Sequence, residues 1–205
     1  LVVNQLNLSK GNKKSKVDTT TMSTNATTTR SAAYNTIVAS DAVTPIPSAS
    51  YTTDEYLTFR NALIYVSKSV LTTLCGCTTG HAFIIFDDAG LVLLAGTATT
   101  RTFAAAPSTI PTYDATDSAT QVAIKEAAWL STQELFHTQE GCKKGLKKLI
   151  IKNVPSNAIM ELEDEEFEFK LVTPLELMQH LESNCEVVDC LDVKELMTEH
   201  DTPLD

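Results

Sequence analysis

Residues 117–155 read DSATQVAIKEAAWLSTQELFHTQEGCKKGLKKLIIKNVP. Asp117 or Ser118 suits a helix start, because a short polar side chain there accepts from an orphan backbone N–H. Val122, Ile124, Ala127, Ala128, Leu130, Leu135 and Phe136 supply an apolar side at helical spacing to about Gln139. Gly141 and Gly145 are expected to break this helix, since glycine loses the most backbone freedom on ordering. Leu146, Leu149, Ile150 and Val154 then make a second amphipathic helix, stopped by Pro155. Two helices in succession point to a mainly α fold.

Working towards the carboxyl terminus, residues 156–162 read as one short helical turn. Glu161-Leu-Glu-Asp-Glu-Glu-Phe-Glu168 is a solvated acidic connection anchored by Leu162, Phe167 and Phe169. Thr173-Pro-Leu-Glu176 is a capping box with proline at the first helical position, a specific start signal. Leu175, Leu177, Met178 and Leu181 carry that helix to Asn184. Asp189 is expected to cap a last helix, Leu191 to Met197.

Working towards the amino terminus, residues 97–116 form a long irregular excursion punctuated by Pro107 and Pro111. A loop of this length is usually functional or partner-bound. Two readings compete over 87–96: Asp87 to Gly90 as a hairpin turn, or Asp87 or Asp88 as the cap of a short helix ending at Gly96. The pattern favours the hairpin, because Val92 is β-branched and Gly90 weakens a helix. His81 to Phe86 is a short apolar run that reads as a buried strand. Thr53 looks like the N-cap of a helix whose apolar side is Tyr56, Leu57, Phe59, Leu63, Ile64, Val66 and Val70, ending near Cys75-Gly76. Residues 34–52 read as an extended linker. Residues 1–33, rich in Thr, Ser, Asn and Lys, cannot bury enough apolar area to offset their ordering entropy and read as a long irregular arm. Met22 opens a Met-Ser-Thr-Asn run common at protein starts, which sets residues 1–21 apart as an upstream or added extension. The expected body is one helical domain over 53–205, with 53–116 and 117–205 as its two subdivisions.

The 205 residues, 43% hydrophobic and 20% charged, suffice for a real core. No apolar run is long enough for a membrane span, and Leu1 to Lys16 has no apolar core of a secretory signal. The five cysteines, an odd number, argue for free thiols in a reducing, cytoplasmic setting. The two glycosylation sequons, at Asn7 and Asn25, then carry no meaning. Charge is uneven. Residues 1–30 hold five basic side chains against one acidic, a net +4, whereas residues 155–205 hold two against fifteen, a net −13. The acidic final quarter repels phosphate backbones. Any RNA contact is left to the basic arm or to Lys143, Lys144, Lys147, Lys148 and Lys152, of which the last four share a helix face at near-helical spacing. That face reads either as an RNA or assembly contact or as the wet side of an amphipathic helix.

Candidate chemistry is sparse. Cys75-X-Cys77 with His81 has too short a spacing and no second cysteine pair for a zinc site. His81, His137, His180 and His200 are not placed beside any cysteine by a recognisable motif. No phosphate-cradling glycine loop or zinc-protease helix is present. No catalytic, metal or cofactor residues are therefore assigned.

The order of features from Thr53 to Asp205 resembles the Gag polyproteins of copia-type LTR retrotransposons of diatoms and related microalgae. Four places carry the likeness. Cys75-Gly-Cys-Thr-Thr-Gly80-His81 is similar to the family's glycine-rich segment ending in Gly-His. Phe86 to Gly96 is similar to its acidic-capped helix ending in Gly, which favours helix over hairpin. Pro107 to Pro111 matches a proline-rich stretch before the long helix. Lys147 to Asn184 matches a basic helix stopped by Val-Pro155, an acidic link and Val172-Thr173-Pro174-Leu-Glu-Leu-Met-Gln-His180-Leu181. Two departures are the link Glu-Phe-Glu-Phe-Lys170 and Asn184-Cys185-Glu186 after the last motif. The resemblance implies a non-enzymatic helical capsid protein, mainly its amino-terminal domain, that self-assembles into particles enclosing element RNA.

Overall fold

A computed structural model of the chain describes residues 19–76, 78–108 and 110–185, with side chains from 27 onwards. It is mainly helical. The helices are α1 (Thr19–Val38), α2 (Thr53–Lys68), α3 (Asp88–Ala95), α4 (Ala119–Asn153) and α5 (residues 174–185), with short 3-10 turns between α2 and α3 and between α4 and α5. Among the described residues there is no strand, and the one isolated β-bridge joins Asp164 and Glu168. The expected last helix from Asp189 lies outside the described residues.

The stretch from 117 to 155 forms one helix, not two. Ser118 caps α4: its hydroxyl accepts from the Gln121 N–H while the Gln121 side chain accepts from the Ser118 N–H. The helix then runs unbroken through Gly141 and Gly145 to Asn153. The glycines are retained because α1 lies against them. A methyl group built on Gly141 would sit 2.9 Å from Ala33 Cβ, and one on Gly145 2.8 Å from Ile37 Cβ, well inside carbon–carbon contact distance. Their helix-propensity cost of about 1 kcal/mol each is offset by the packing this approach permits. Ala33 faces Gly141 and Ile37 faces Gly145, so the two helices run parallel.

The arm reading therefore fails from Thr19 onwards, and the helix begins ahead of Met22. Composition misleads here because α1, from residue 27 onwards, buries little: Ala33 and Ile37 enter the core while Thr27, Thr28, Ser31 and Thr36 stay exposed. A partner helix, not an apolar stripe of its own, stabilises it. The linker expected over 34–52 is also seated. Val43 and Ile46 are buried, and the Ile46 N–H donates 2.9 Å to the Asn153 carbonyl, satisfying an orphan acceptor at the end of α4.

α2 is capped by Thr52, one residue before the expected Thr53, in a reciprocal box with Glu55. It buries Tyr56, Phe59, Leu63 and Val66 and ends at Lys68, earlier than Cys75-Gly76. The expected strand over 81–86 is a 3-10 turn, Ala82–Ile84. Ala82, Phe83, Ile84 and Ile85 are all buried, so the apolar run does report burial. Its backbone is satisfied within itself, however: Ile84 N–H donates to His81 O at 3.1 Å and Ile85 N–H to Ala82 O at 3.0 Å. No neighbouring strand is needed. Over 87–96 the hairpin reading gives way to helix. Asp87 accepts from the Gly90 N–H at 2.8 Å, and Gly96 at φ +68° ends α3.

Residues 97–118 are a strap laid along the body. Thr102 N–H donates to Cys75 Sγ at 3.1 Å, and Ala104 N–H donates to the buried Gln139 Oε1 at 2.7 Å. Further along, Trp129 Nε1 donates to Ser108 O at 2.8 Å, and Lys125 pairs with Asp114 and Asp117 at 2.9 and 2.7 Å. One cluster of buried side chains, from Ala33 through Phe59, Phe83, Leu91 and Leu149 to Leu181, draws on all five helices. The expected subdivisions 53–116 and 117–205 thus share a single core, to which α1 also belongs. No helix among the described residues is long and apolar enough to cross a membrane.

Candidate functional site

The residues singled out by motif are internal joints. Gly80, at φ +55°, lets the chain touch the end of α2, where a methyl group would meet Lys68 Cα at 2.7 Å. The next N–H, from His81, donates to Ser67 O at 3.0 Å. The His81 ring is 1% exposed, with Nδ1 3.1 Å from the Val70 carbonyl and the ring beside Phe83. Burial holds its pKa below the ordinary value. Pro155 follows the extended Val154 that ends α4. Thr173 and Glu176 form the expected box: Thr173 N–H donates to Glu176 Oε2 at 2.6 Å, and Glu176 N–H to Thr173 Oγ1 at 3.2 Å. These bonds, helped by Lys147, hold the Glu176 carboxyl below its usual range. Pro174 then starts α5. His180 Nε2 lies 3.1 Å from the Ala158 carbonyl and 3.0 Å from the Asn184 amide. Leu181 is fully buried, and its carbonyl accepts from the Tyr51 hydroxyl at 2.6 Å.

The cysteines do not gather. Cys75 is buried against Thr102, Cys142 is buried in the core cluster and Cys185 lies against Thr53. Burial pushes the Cys142 thiol up to about 12, away from the thiolate form a nucleophile needs. No cluster of three or more metal-binding side chains occurs among the described residues. Cys77, Cys190 and His200 lie outside them.

The open features are on the surface. Lys144, Lys147, Lys148 and Lys152, which spacing places on one face, divide between different surroundings. Glu140, Lys143, Lys144 and Lys147 line a cleft of about 370 Å³, closed on the far side by Lys170, Leu171 and the start of α5. Lys147 is committed there: its ammonium donates to the carbonyls of Phe169 and Lys170. Burial, then the positive charge of Lys143, holds its pKa below the ordinary lysine value. Lys148 instead reaches back over the Tyr34 ring of α1, 5.6 Å from its centre. Lys152 is exposed in the last turn of α4, where a cation is favourable to the helix dipole.

Lys170 was missed because 161–170 reads as one acidic link, although it is the sole basic residue between Lys152 and Lys194. Beside it, Asp164 and Glu168 exchange backbone hydrogen bonds of 3.0 and 2.8 Å. Asp164 Oδ1 also accepts from the N–H groups of Glu166 and Phe167. This builds a closed turn whose other carboxylates, Glu163, Glu165, Glu166 and Glu168, stay exposed. Among the described residues, no ion pair joins them to the cleft lysines.

A second, smaller cleft of about 240 Å³ lies between α2, α3 and α5. Arg60 sits in it, stacked near Tyr56 and Phe86 and 3.7 Å from Glu182.

Comparison of the chain with protein-family models, curated proteins and solved structures finds no match.

Proposed function

We propose that this chain is a non-enzymatic structural protein that works by associating with copies of itself, as a copia-type Gag capsid protein enclosing element RNA inside the cell would. The carrying observation is where the motif residues lie. Gly80, His81, Pro155, Thr173, Pro174, His180 and Leu181 are all spent on joints between helices. These positions thus serve the chain's own architecture, and what remains for function is surface.

That surface suits association. Leu71 is 86% and Leu93 85% exposed, and Tyr65, Ile110, Ile124, Met160 and Leu171 are also largely open. Each such side chain would contribute about 1.5–3 kcal/mol on full burial against a partner. A second reading, an adaptor whose acidic surface binds a basic protein, is favoured by the exposed carboxylates of the 163–168 turn. It predicts a monomer that gains salt-sensitive heteromeric partners.

Size-exclusion chromatography and negative-stain microscopy of the full chain, with and without RNA, separate the two. Self-association predicts concentration-dependent oligomers or particles. A monomer at every concentration, in both conditions, would overturn it.

A further inference from the structure

We infer that the Lys143–Lys144–Lys170 cleft and the Glu163–Glu168 turn form one self-complementary surface through which two copies of this chain meet about a twofold axis, each copy's acidic turn entering the other's basic cleft. The inference rests on the self-association proposed above and names the surface that performs it.

The argument begins with placement. Lys147 clamps the carbonyls of Phe169 and Lys170, so the chain leaving the acidic turn becomes a wall of the cleft within two residues. Turn and cleft therefore lie side by side. The turn is short and closed by reciprocal Asp164–Glu168 bonds, which fixes its projecting carboxylates at small entropic cost on binding. A twofold axis between two adjacent patches of opposite charge places acid against base twice, because an isologous contact pairs each patch with the other on the partner copy.

Chemistry argues for this partner over nucleic acid. Four lysines alone would suit a phosphate chain. Here Glu140 stands in the lining itself, and four exposed carboxylates, Glu163, Glu165, Glu166 and Glu168, belong to the turn that leads into the cleft wall; together they would repel one. The same carboxylates are what the cleft lysines of a second copy would attract. Exposed apolar side chains accompany the charges: Phe167, 41% exposed, in the turn and Leu171, 70% exposed, in the cleft lining. Apolar area mixed with polar and charged groups is ordinary in a protein–protein contact. Among the described residues no ion pair uses these charges, which leaves them available to another copy.

The test is a charge swap in the full chain, followed by sedimentation velocity. Lys143→Glu with Lys144→Glu, and separately Glu165→Lys with Glu166→Lys, are each expected to weaken self-association at least tenfold. Lys147 is left in place because it supports the fold. An equimolar mixture of the two variants, and a single chain carrying all four changes, are expected to restore it, since every contact is again acid to base. Circular dichroism melts verify that each variant is folded. Association unchanged in either pair, or no recovery in the mixture and the four-change chain, would overturn the inference while leaving self-association standing. A parent chain that never associates would overturn both. If Lys143→Glu with Lys144→Glu instead abolishes retention of a labelled oligouridylate and leaves association intact, the cleft is a nucleic-acid contact and the inference falls.

Discussion

The two sides of α4 use one short stretch, Gly141 to Lys147, in opposite ways. Facing α1, Gly141 and Gly145 are buried, and their value lies in the volume they leave free. Facing the cleft, Lys143 and Lys144 are partly or wholly open, and their value lies in charge. One side is a jigsaw that fixes which helix lies next to it. The other can be rewritten without disturbing the fold. The difference separates what this sequence spends on being a structure from what it offers to a partner.

The largest effect is expected from breaking the seam. Gly145→Leu drives four carbons into Ile37 and should destabilise the chain by about 3 kcal/mol, the upper end for overpacking, as read by urea unfolding. Helix propensity alone predicts the opposite sign, a gain of about 1 kcal/mol, so a stabilised variant would refute the α1–α4 packing. Thr173→Ala removes the cap of α5 and should cost about 1 kcal/mol. It should also make the acid limb of stability shallower in part, since the Thr173 N–H, the larger cause of the Glu176 shift, is kept while the hydroxyl is lost. The folded Glu176 carboxyl titrates below its unfolded value, so its contribution is present above the unfolded pKa and fades as pH falls through the lower folded one.

A smaller, pH-confined effect belongs to His81. Burial depresses its folded pKa below the ordinary 6.5, so the unfolded chain takes up a proton first. Stability is then retained above about pH 6.5 and lost as pH falls towards the depressed value. His81→Gln should weaken that dependence in unfolding curves collected across the acid range, and an unchanged slope would show that His81 is not buried neutral. The smallest effect is on the open side. Lys144→Gln should change stability by no more than about 0.5 kcal/mol, while already weakening any contact the cleft makes.

The caps were the legible part of the fold. Ser118, Thr173 with Glu176, and Pro155 work where local chemistry places them, and the Thr52 cap was missed by one residue. The resemblance, not the pattern, pointed to helix at 88–95. What could not be read was tertiary. Gly141 and Gly145 look like breaks until Ala33 and Ile37 arrive, and Thr19–Val38 looks too polar to fold until those glycines receive it. The apolar run at 82–85 announces burial but not which backbone bonds satisfy it. At the candidate surface, spacing found the lysines but not their division. Lys148 turns to Tyr34, and Lys170 joins Lys143 and Lys144 from a link that reads as acidic. Neither move is encoded by periodicity within α4.

Self-association carried by opposed charges has a direct physical signature. Sedimentation velocity of the parent chain over a range of concentrations, at about 0.1 M and about 1 M salt, compares screening lengths of about 10 and 3 Å. Reversible oligomers that weaken as salt rises are the expected result. A monomer at both salt concentrations and at every protein concentration would contradict self-association, and oligomers indifferent to salt would remove charge from the contact.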